Sequence, residues 1–260
     1  MYYPKQVPFL LDKEFCNYIN YKEYILEDLT EYVMCLWTMS SKCCLNKSIP
    51  NNILPDACID IVINFTDRWV AVAGFSKETE PFMLQEKVDY MGVRLKPGAF
   101  YAIFNVSADK AMDNMISFAT LDNDYEMDAI FKLNKIVDRI AFLEEYLKHK
   151  ISNNLDNTYI LIADKIYDSP KDLSVGDIAL SLGLSKKQLY REFIVNYGVS
   201  PKVLLNILRL HLCLTLLLDK KMALINVANL CGFYDQAHFI KTIKRYTSIS
   251  PLKLISIYNL

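Results

Sequence analysis

An internal repeat in the last hundred residues constrains what this chain can fold into more than any other feature. Asp177-Ile-Ala-Leu-Ser-Leu-Gly183 is echoed by Asn226-Val-Ala-Asn-Leu-Cys-Gly232 at an offset of 49 residues. Past the glycine the offset becomes 50, so Ser185 falls on Asp235, Leu189 on Phe239, Phe193 on Ile243, and Ser200-Pro201 on Ser250-Pro251. One residue has been inserted in the second turn. Each copy reads as helix, tight turn, helix. Ala179 and Ala228 let the first helix approach the second, and the glycine four residues on takes the positive φ that ends a helix. Ser174 with Asp177, and Ser185 with Gln188, form capping-box patterns, while Asp235 caps the matching helix of the second copy. The two Ser-Pro pairs each combine a cap with proline at the first helical position, so a further helix follows each unit.

Leu189 and Phe193, like Phe239 and Ile243, lie at i and i+4 and face the core. The opposite face then carries Lys186, Lys187, Tyr190 and Arg191 in the first unit, and Gln236, Ala237, Ile240 and Lys241 in the second. A helix-turn-helix lays the start of its second helix in the major groove, so these positions reach base edges. Between the units, Pro201 to Leu218 predicts one helix of 18 residues, ~27 Å long. Successive turns of the major groove recur every ~34 Å. A stiff spacer of this length holds two reading heads in adjacent groove segments.

The run Ile178-Ala-Leu-Ser-Leu-Gly-Leu-Ser185, the Ser-Pro at 200–201, and Gly232-Phe-Tyr-Asp-Gln-Ala-His-Phe-Ile-Lys241 followed by Tyr246 and Ser250-Pro251 resemble the DNA-binding domain of AraC/XylS regulators. The resemblance spans Leu173 to Asn259. It implies base contacts from Lys187, Tyr190, Arg191, Gln236, Ala237 and Lys241, and a backbone contact from His238. Two departures stand out: Lys241 replaces the usual arginine, and Thr247-Ser-Ile-Ser250 lacks the usual glycine. Lysine cannot make the two-pronged bond of arginine to guanine, so the second head is expected to read sequence less sharply.

Charge divides the chain the same way. Residues 1–156 hold 16 Lys+Arg against 23 Asp+Glu, a net −7, and 157–260 hold 13 against 7, a net +6. The second half is expected to meet a polyanion and the first is not. Asn153-Asn-Leu-Asp-Asn157 reads as a linker. The expected partition is a sensing domain over 1–125, a helical linker with a dimerisation role left open over 126–156, and a double helix-turn-helix domain over 157–260 that folds and binds DNA alone.

The N-terminal half is expected to be α+β, a small sheet or barrel with helices, ahead of an all-α domain. Glu31–Met39, Ala57–Phe65, Arg68–Gly74 and Val88–Leu95 read as strands. Ala99–Asn105, Ala108–Phe118 and about Glu126 to Lys150 read as helices, the last striped by Ile130, Leu133, Ile136, Val137, Ile140, Leu143 and Leu147. The pieces Leu54-Pro-Asp-Ala-Cys-Ile-Asp60 and Gly92-Val-Arg-Leu-Lys-Pro-Gly98 are similar to the N-terminal domain of one AraC-type subgroup, which implies a sensing or dimerising module. An apolar ligand pocket lined by Trp37, Met39, Trp69, Phe82 and Met91, with Met34, Phe75, Met83 and Tyr90 nearby, is weighed against a plain core.

Other chemistries are constrained. The only histidines are His149, His211 and His238, so no His-based triad or His-rich metal centre lies within residues 1–148. The seven glycines form no phosphate loop. Seven cysteines without CxxC argue against a secreted disulfide framework. No cofactor, metal or catalytic residue is expected. Met1 to Glu14 lacks a secretory pattern, and the apolar stretch Val203–Leu218 is too short and interrupted for a membrane span, so a cytoplasmic location is expected. The expected function is a DNA-binding transcription regulator acting on promoter duplex, modulated by a small effector, with RNA polymerase and a second copy of the chain as open partners. The alternative is a thiol-dependent alkyl-transfer or redox-sensing protein that uses the helix-turn-helix domain as an address, with Cys35, Cys43, Cys44 and Cys58 as its thiols.

Overall fold

Strands rich in apolar residues on both faces build the middle of the N-terminal sheet. Its order is Ile19–Tyr24 (β1), Val33–Ser41 (β2), Asp89–Leu95 (β7), Ile59–Asn64 (β4), Trp69–Ala73 (β5) and Met115–Ser117 (β8), every neighbour antiparallel. Leu45–Ile53 (β3) and Glu80–Glu86 (β6) form a separate two-stranded ribbon. The computed structural model describes residues 13–123, 126–151, 155–169, 173–218 and 222–258. Residues 153 and 154 of the expected linker, Met1 to residue 12, and Asn259 lie outside the described residues.

Strand alternation sorts side chains to two faces. Leu36, Ile61, Ile63, Val72, Met91 and Val93 form one buried layer, which the helices Ala99–Phe104 (α2) and Ile136–Lys150 (α3) cover through Phe100, Leu143, Tyr146 and Leu147. On the other face Cys35, Trp37 and Met39 pack with Phe15 of the helix Lys13–Tyr18 (α1) and with Leu45, Ile49 and Leu84 of the ribbon. Being covered on both sides is why β2, β4 and β7 read as nearly continuous apolar runs.

Two predicted helices are corrected. Ala108–Phe118 is a 3-10 turn, Ala108–Ala111, followed by β8. Asp113 takes a positive φ of 53°, and the Gly74 N–H donates to Ala111 O at 3.1 Å, so backbone pairing with β5 replaces helical turns. The helix from Glu126 is also broken: a 3-10 segment covers Met127–Lys132, and α3 begins only at Ile136. Arg139 fixes the break by donating from Nε to Leu133 O at 2.9 Å, while its guanidinium lies 3.5 Å from the Phe65 ring centroid. Beyond the break the stripe shifts, leaving Ile136 and Val137 exposed.

The C-terminal segment is helical, as the repeat requires. Thr158–Asp168 (α4) leads into Val175–Ser181 (α5) and Lys186–Tyr197 (α6), then Pro201–Leu218 (α7), Leu224–Leu230 (α8), Gln236–Thr247 (α9) and Pro251–Tyr258 (α10). The predicted span of α7 matches the observed one. Its first half, with Leu204, Ile207 and Leu208, shares a core with Leu189 and Phe193 of the first unit. Its second half, with Leu210, Cys213 and Leu214, shares one with Phe239 and Ile243 of the second. Fully burying such leucines contributes about 1.5–3 kcal/mol each, which makes this long apolar helix the spine of both units.

Those cores also cross from the N-terminal half. Met34, Ala57, Cys58, Phe75 and Met112 belong to the first unit's cluster, and Leu54 to the second's. The fully buried His211 bonds through Nε2 to Pro55 O at 2.7 Å, and Lys96 lies 3.8 Å from Asp164. A fragment starting at 157 therefore leaves apolar surface of both units uncovered.

Candidate functional site

Each reading helix is set by its cap. Ser185 accepts from the Gln188 N–H at 3.3 Å while Gln188 Oε1 accepts from the Ser185 N–H at 2.9 Å, and Asp235 accepts from the His238 N–H at 2.7 Å. The preceding glycines take positive φ, 65° at Gly183 and 74° at Gly232. With Leu189, Phe193, Phe239 and Ile243 fully buried, rotation of both helices is fixed. Lys186, Lys187, Tyr190 and Arg191 are exposed together on the first two turns of α6. Gln236, Ala237, His238 and Lys241 are exposed on α9, with the His238 ring edge-on to Phe233 at 5.4 Å. Tyr234, which the sequence reading passed over, is 95% exposed. It is the inserted residue of the second turn, and that insertion was the signal that could have found it.

A second concavity lies in the N-terminal half. A cavity of about 420 Å³ opens between the sheet and the ribbon, walled by Trp37, Met39, Trp69, Phe75, Phe82 and Tyr90 and floored by Asp56, Asp60 and Arg94. Four of the five predicted pocket residues, Trp37, Met39, Trp69 and Phe82, line it. Met91 does not, because Tyr90 and Met91 are neighbours on one strand and point to opposite faces; Met91 sits in the core beneath the helices. Met34 belongs to the cluster shared with the first unit, and Met83 is exposed. Gly92 makes the wall possible, since a Cβ there would stand 2.3 Å from the Trp37 indole.

The polar floor was missed, although both sequence pieces flagged in the N-terminal half supply it. Antiparallel register sets Asp60 opposite Arg94. Arg94 donates from Nε and from a terminal nitrogen to the two Asp60 oxygens, each at 3.2 Å, and Trp37 Nε1 donates to Asp60 at 3.1 Å. Asp56 and Glu23 stand 3.7 Å from the same guanidinium. Burial pushes the Asp60 carboxyl up to about 6, against the pull of Arg94. Burial also pushes the Cys58 thiol well above its usual range, with Asp56 adding to the effect. Cys213 is raised by burial and by Cys231. An activated thiolate needs the opposite shift, so neither thiol supports the thiol-enzyme reading.

Two helix-turn-helix units on one spine define a DNA-binding class of fold. The family model described as "Helix-turn-helix domain" matches residues 172–256, and "Domain of unknown function (DUF6597)" matches 26–117. Among relatives, the chain is 27% identical over 144 residues to the HTH-type transcriptional regulator GbdR of Pseudomonas aeruginosa, covering 54% of this chain and 39% of that protein. It is 32% identical over 148 residues to the Msm operon regulatory protein of Streptococcus mutans, covering 55% and 52%. A solved structure of an AraC-type DNA-binding domain protein from Chromobacterium violaceum aligns with 28% identity and a TM-score of 0.34 over 36% of this chain and 86% of that one. The match thus spans about half or less of these curated relatives' own length. Over residues 172–256 the chain carries an AraC-type helix-turn-helix domain.

Proposed function

We propose that the protein is a sequence-specific DNA-binding transcription regulator whose 157–260 segment reads promoter duplex with two heads and whose 1–125 segment senses a small effector, with 126–156 between them. The observation that carries the reading is the exposure, on equivalent turns of two repeated helices, of Lys187, Tyr190 and Arg191 and of Gln236, Ala237 and Lys241. Lys186 adds charge, and His238, beside the cap, suits a phosphate contact.

Effector control is supported by chain continuity. The cavity residue Asp56 follows Leu54 and Pro55, which pack on the second unit and on His211. The cavity residues Phe75 and Ser76 lead to Glu78 and Thr79, which bond Arg245 and the Tyr246 carbonyl at the end of α9. An occupant that shifts either segment changes how the second head is held, which is the differential contact that ligand control requires.

The test is footprinting of the full chain on its own promoter region. Protection of two adjacent major-groove segments, with the duplex bent because the ~27 Å spine is shorter than the ~34 Å groove repeat, is the expected result. Absence of any protected site at low salt overturns the reading.

A further inference from the structure

We infer that the effector taken by the N-terminal cavity is a small organic cation, a primary or secondary ammonium on an apolar body; this rests on the regulatory reading above and names the ligand's class. Three features of the cavity lead there.

The first is its supply of hydrogen-bonding groups. Arg94 is the cationic side chain in the cavity lining, and it donates from Nε and one terminal nitrogen to Asp60, with Asp56 and Glu23 close on its other sides. The Trp37 N–H is spent on Asp60 as well. An anionic ligand would find the guanidinium surrounded by carboxylates and would meet their repulsion. Three carboxylates around one guanidinium leave a negative balance, and Asp113 adds another carboxylate to the lining.

The second is an acceptor without a donor. Asn51 is only 4% exposed and lines the cavity, and its Oδ1 has no hydrogen-bond partner among the described residues. Leaving a buried polar atom unsatisfied costs about 1–3 kcal/mol. A ligand N–H would satisfy it, whereas a carboxylate or ether oxygen would not. That requirement selects an ammonium carrying hydrogens over a quaternary one.

The third is the wall. Tyr90 stands edge-on to Trp69 at 6.1 Å and to Phe82 at 6.3 Å, and Tyr21 stacks with Trp37 at 6.4 Å. Aromatic faces set around a negative floor attract a cation through their quadrupoles and pack its apolar body. The volume of about 420 Å³ is that of a small-molecule site.

Trp37 and Trp69 are the chain's two tryptophans, and both line the cavity, so intrinsic fluorescence of the full chain reports occupancy directly. Three probes of one shape but different charge are titrated: 2-phenylethylamine, 2-phenylethanol and phenylacetate. The amine should give a saturable change at least about tenfold tighter than the alcohol, and phenylacetate none. Asn51→Leu should weaken the amine about tenfold and the alcohol, whose hydroxyl can donate to the same oxygen without a charge, by less. Asp113→Asn, at an exposed position whose left-handed backbone asparagine accepts, should weaken the amine a few-fold and keeps the test open if the core variant fails to fold. Tighter binding of the alcohol or of phenylacetate, no binding of the amine into the millimolar range, or an amine indifferent to both substitutions overturns the inference. Footprinting without any probe judges the regulatory reading separately, so the two can fail independently.

Discussion

The two helix-turn-helix units are copies in sequence and differ in what holds them. The first is built from local signals: α5 opens on the Ser174–Asp177 capping box, α6 on the Ser185–Gln188 box, and α6 closes on Gly198 at φ 73°. In the second, α8 opens on Ala223 with no side-chain cap, α9 has the single cap Asp235, and the residue matching Gly198 is Ser248, at φ 61°. A missing cap costs about 1 kcal/mol, and a left-handed residue with a Cβ costs roughly 1–2 kcal/mol. The second unit offsets part of this through Thr247, fully buried, whose Oγ1 bonds Ile243 O at 2.8 Å and accepts from the Ile249 N–H at 3.3 Å. It also leans on the N-terminal half through Leu54, Glu78 and Thr79. Both units thus close their cores on the N-terminal half, the first through Met34, Ala57, Cys58, Phe75 and Met112. Only the first has a complete set of local caps, and the second is the one that polar contacts from Glu78 and Thr79 can adjust.

The sharpest way to break that comparison is to exchange the residues that close the two reading helices. In Gly198→Ala the new Cβ would meet Met112 Cγ at 2.6 Å and Ala108 O at 3.1 Å, on top of the left-handed strain. The loss of stability should be roughly 2–5 kcal/mol. Ser248→Gly relieves strain at an exposed position and should stabilise by about 1 kcal/mol. Denaturant midpoints of both variants check this. Effects of the same sign would mean that the two helix ends are held alike.

A smaller difference is expected in DNA affinity. Arg191→Ala should cost roughly 1–3 kcal/mol of specific binding and relax sequence preference, because arginine can grip guanine with two bonds. Lys241→Ala should cost less and should weaken all sequences nearly alike, because an ammonium acts as a point charge. Competition assays against single-base operator variants separate the two cases. A loss of discrimination at Lys241 equal to that at Arg191 would make the second head as selective as the first.

How far the sequence carried the reading follows the same local and non-local division. Caps, turn glycines and the i, i+4 pairs act within a few residues, so both units, the span of α7 and the anomaly at Ser248 were legible, the last as a missing glycine in Thr247-Ser-Ile-Ser250. The N-terminal sheet was legible only where burial on both faces made the runs apolar. Its edge strand β1 alternates with Asn20 and Lys22 turned outward, and the ribbon strands β3 and β6 carry Pro50 and Pro81, which argue against central strands. The cavity walls were largely found from aromatic content. Its floor was not, because pairing Asp60 with Arg94 requires the register of two strands 34 residues apart.

The smallest expected effect tests whether the second head is tethered. Arg245 bonds Glu78 at 3.1 Å, with side chains 68% and 61% exposed. A pair so open to water is worth about 0–1 kcal/mol, so Glu78→Gln should leave the denaturant midpoint nearly unchanged. The first unit has Val195 at the matching place, so it has no such pair to release. Without Glu78 the Arg245 charge at the end of α9 is free to neutralise a phosphate. Affinity for promoter duplex at low salt should then rise modestly, and the log–log slope against salt should steepen by about 0.9 for that one added contact. Fluorescence anisotropy across a salt series measures both. If affinity rises while the slope stays fixed, Arg245 gains no phosphate, and the carboxylate acts only by repelling the duplex. If neither quantity moves, the ion pair holds nothing, and control of the second head has to pass through Leu54, Pro55 and the Thr79 bond to the Tyr246 carbonyl instead.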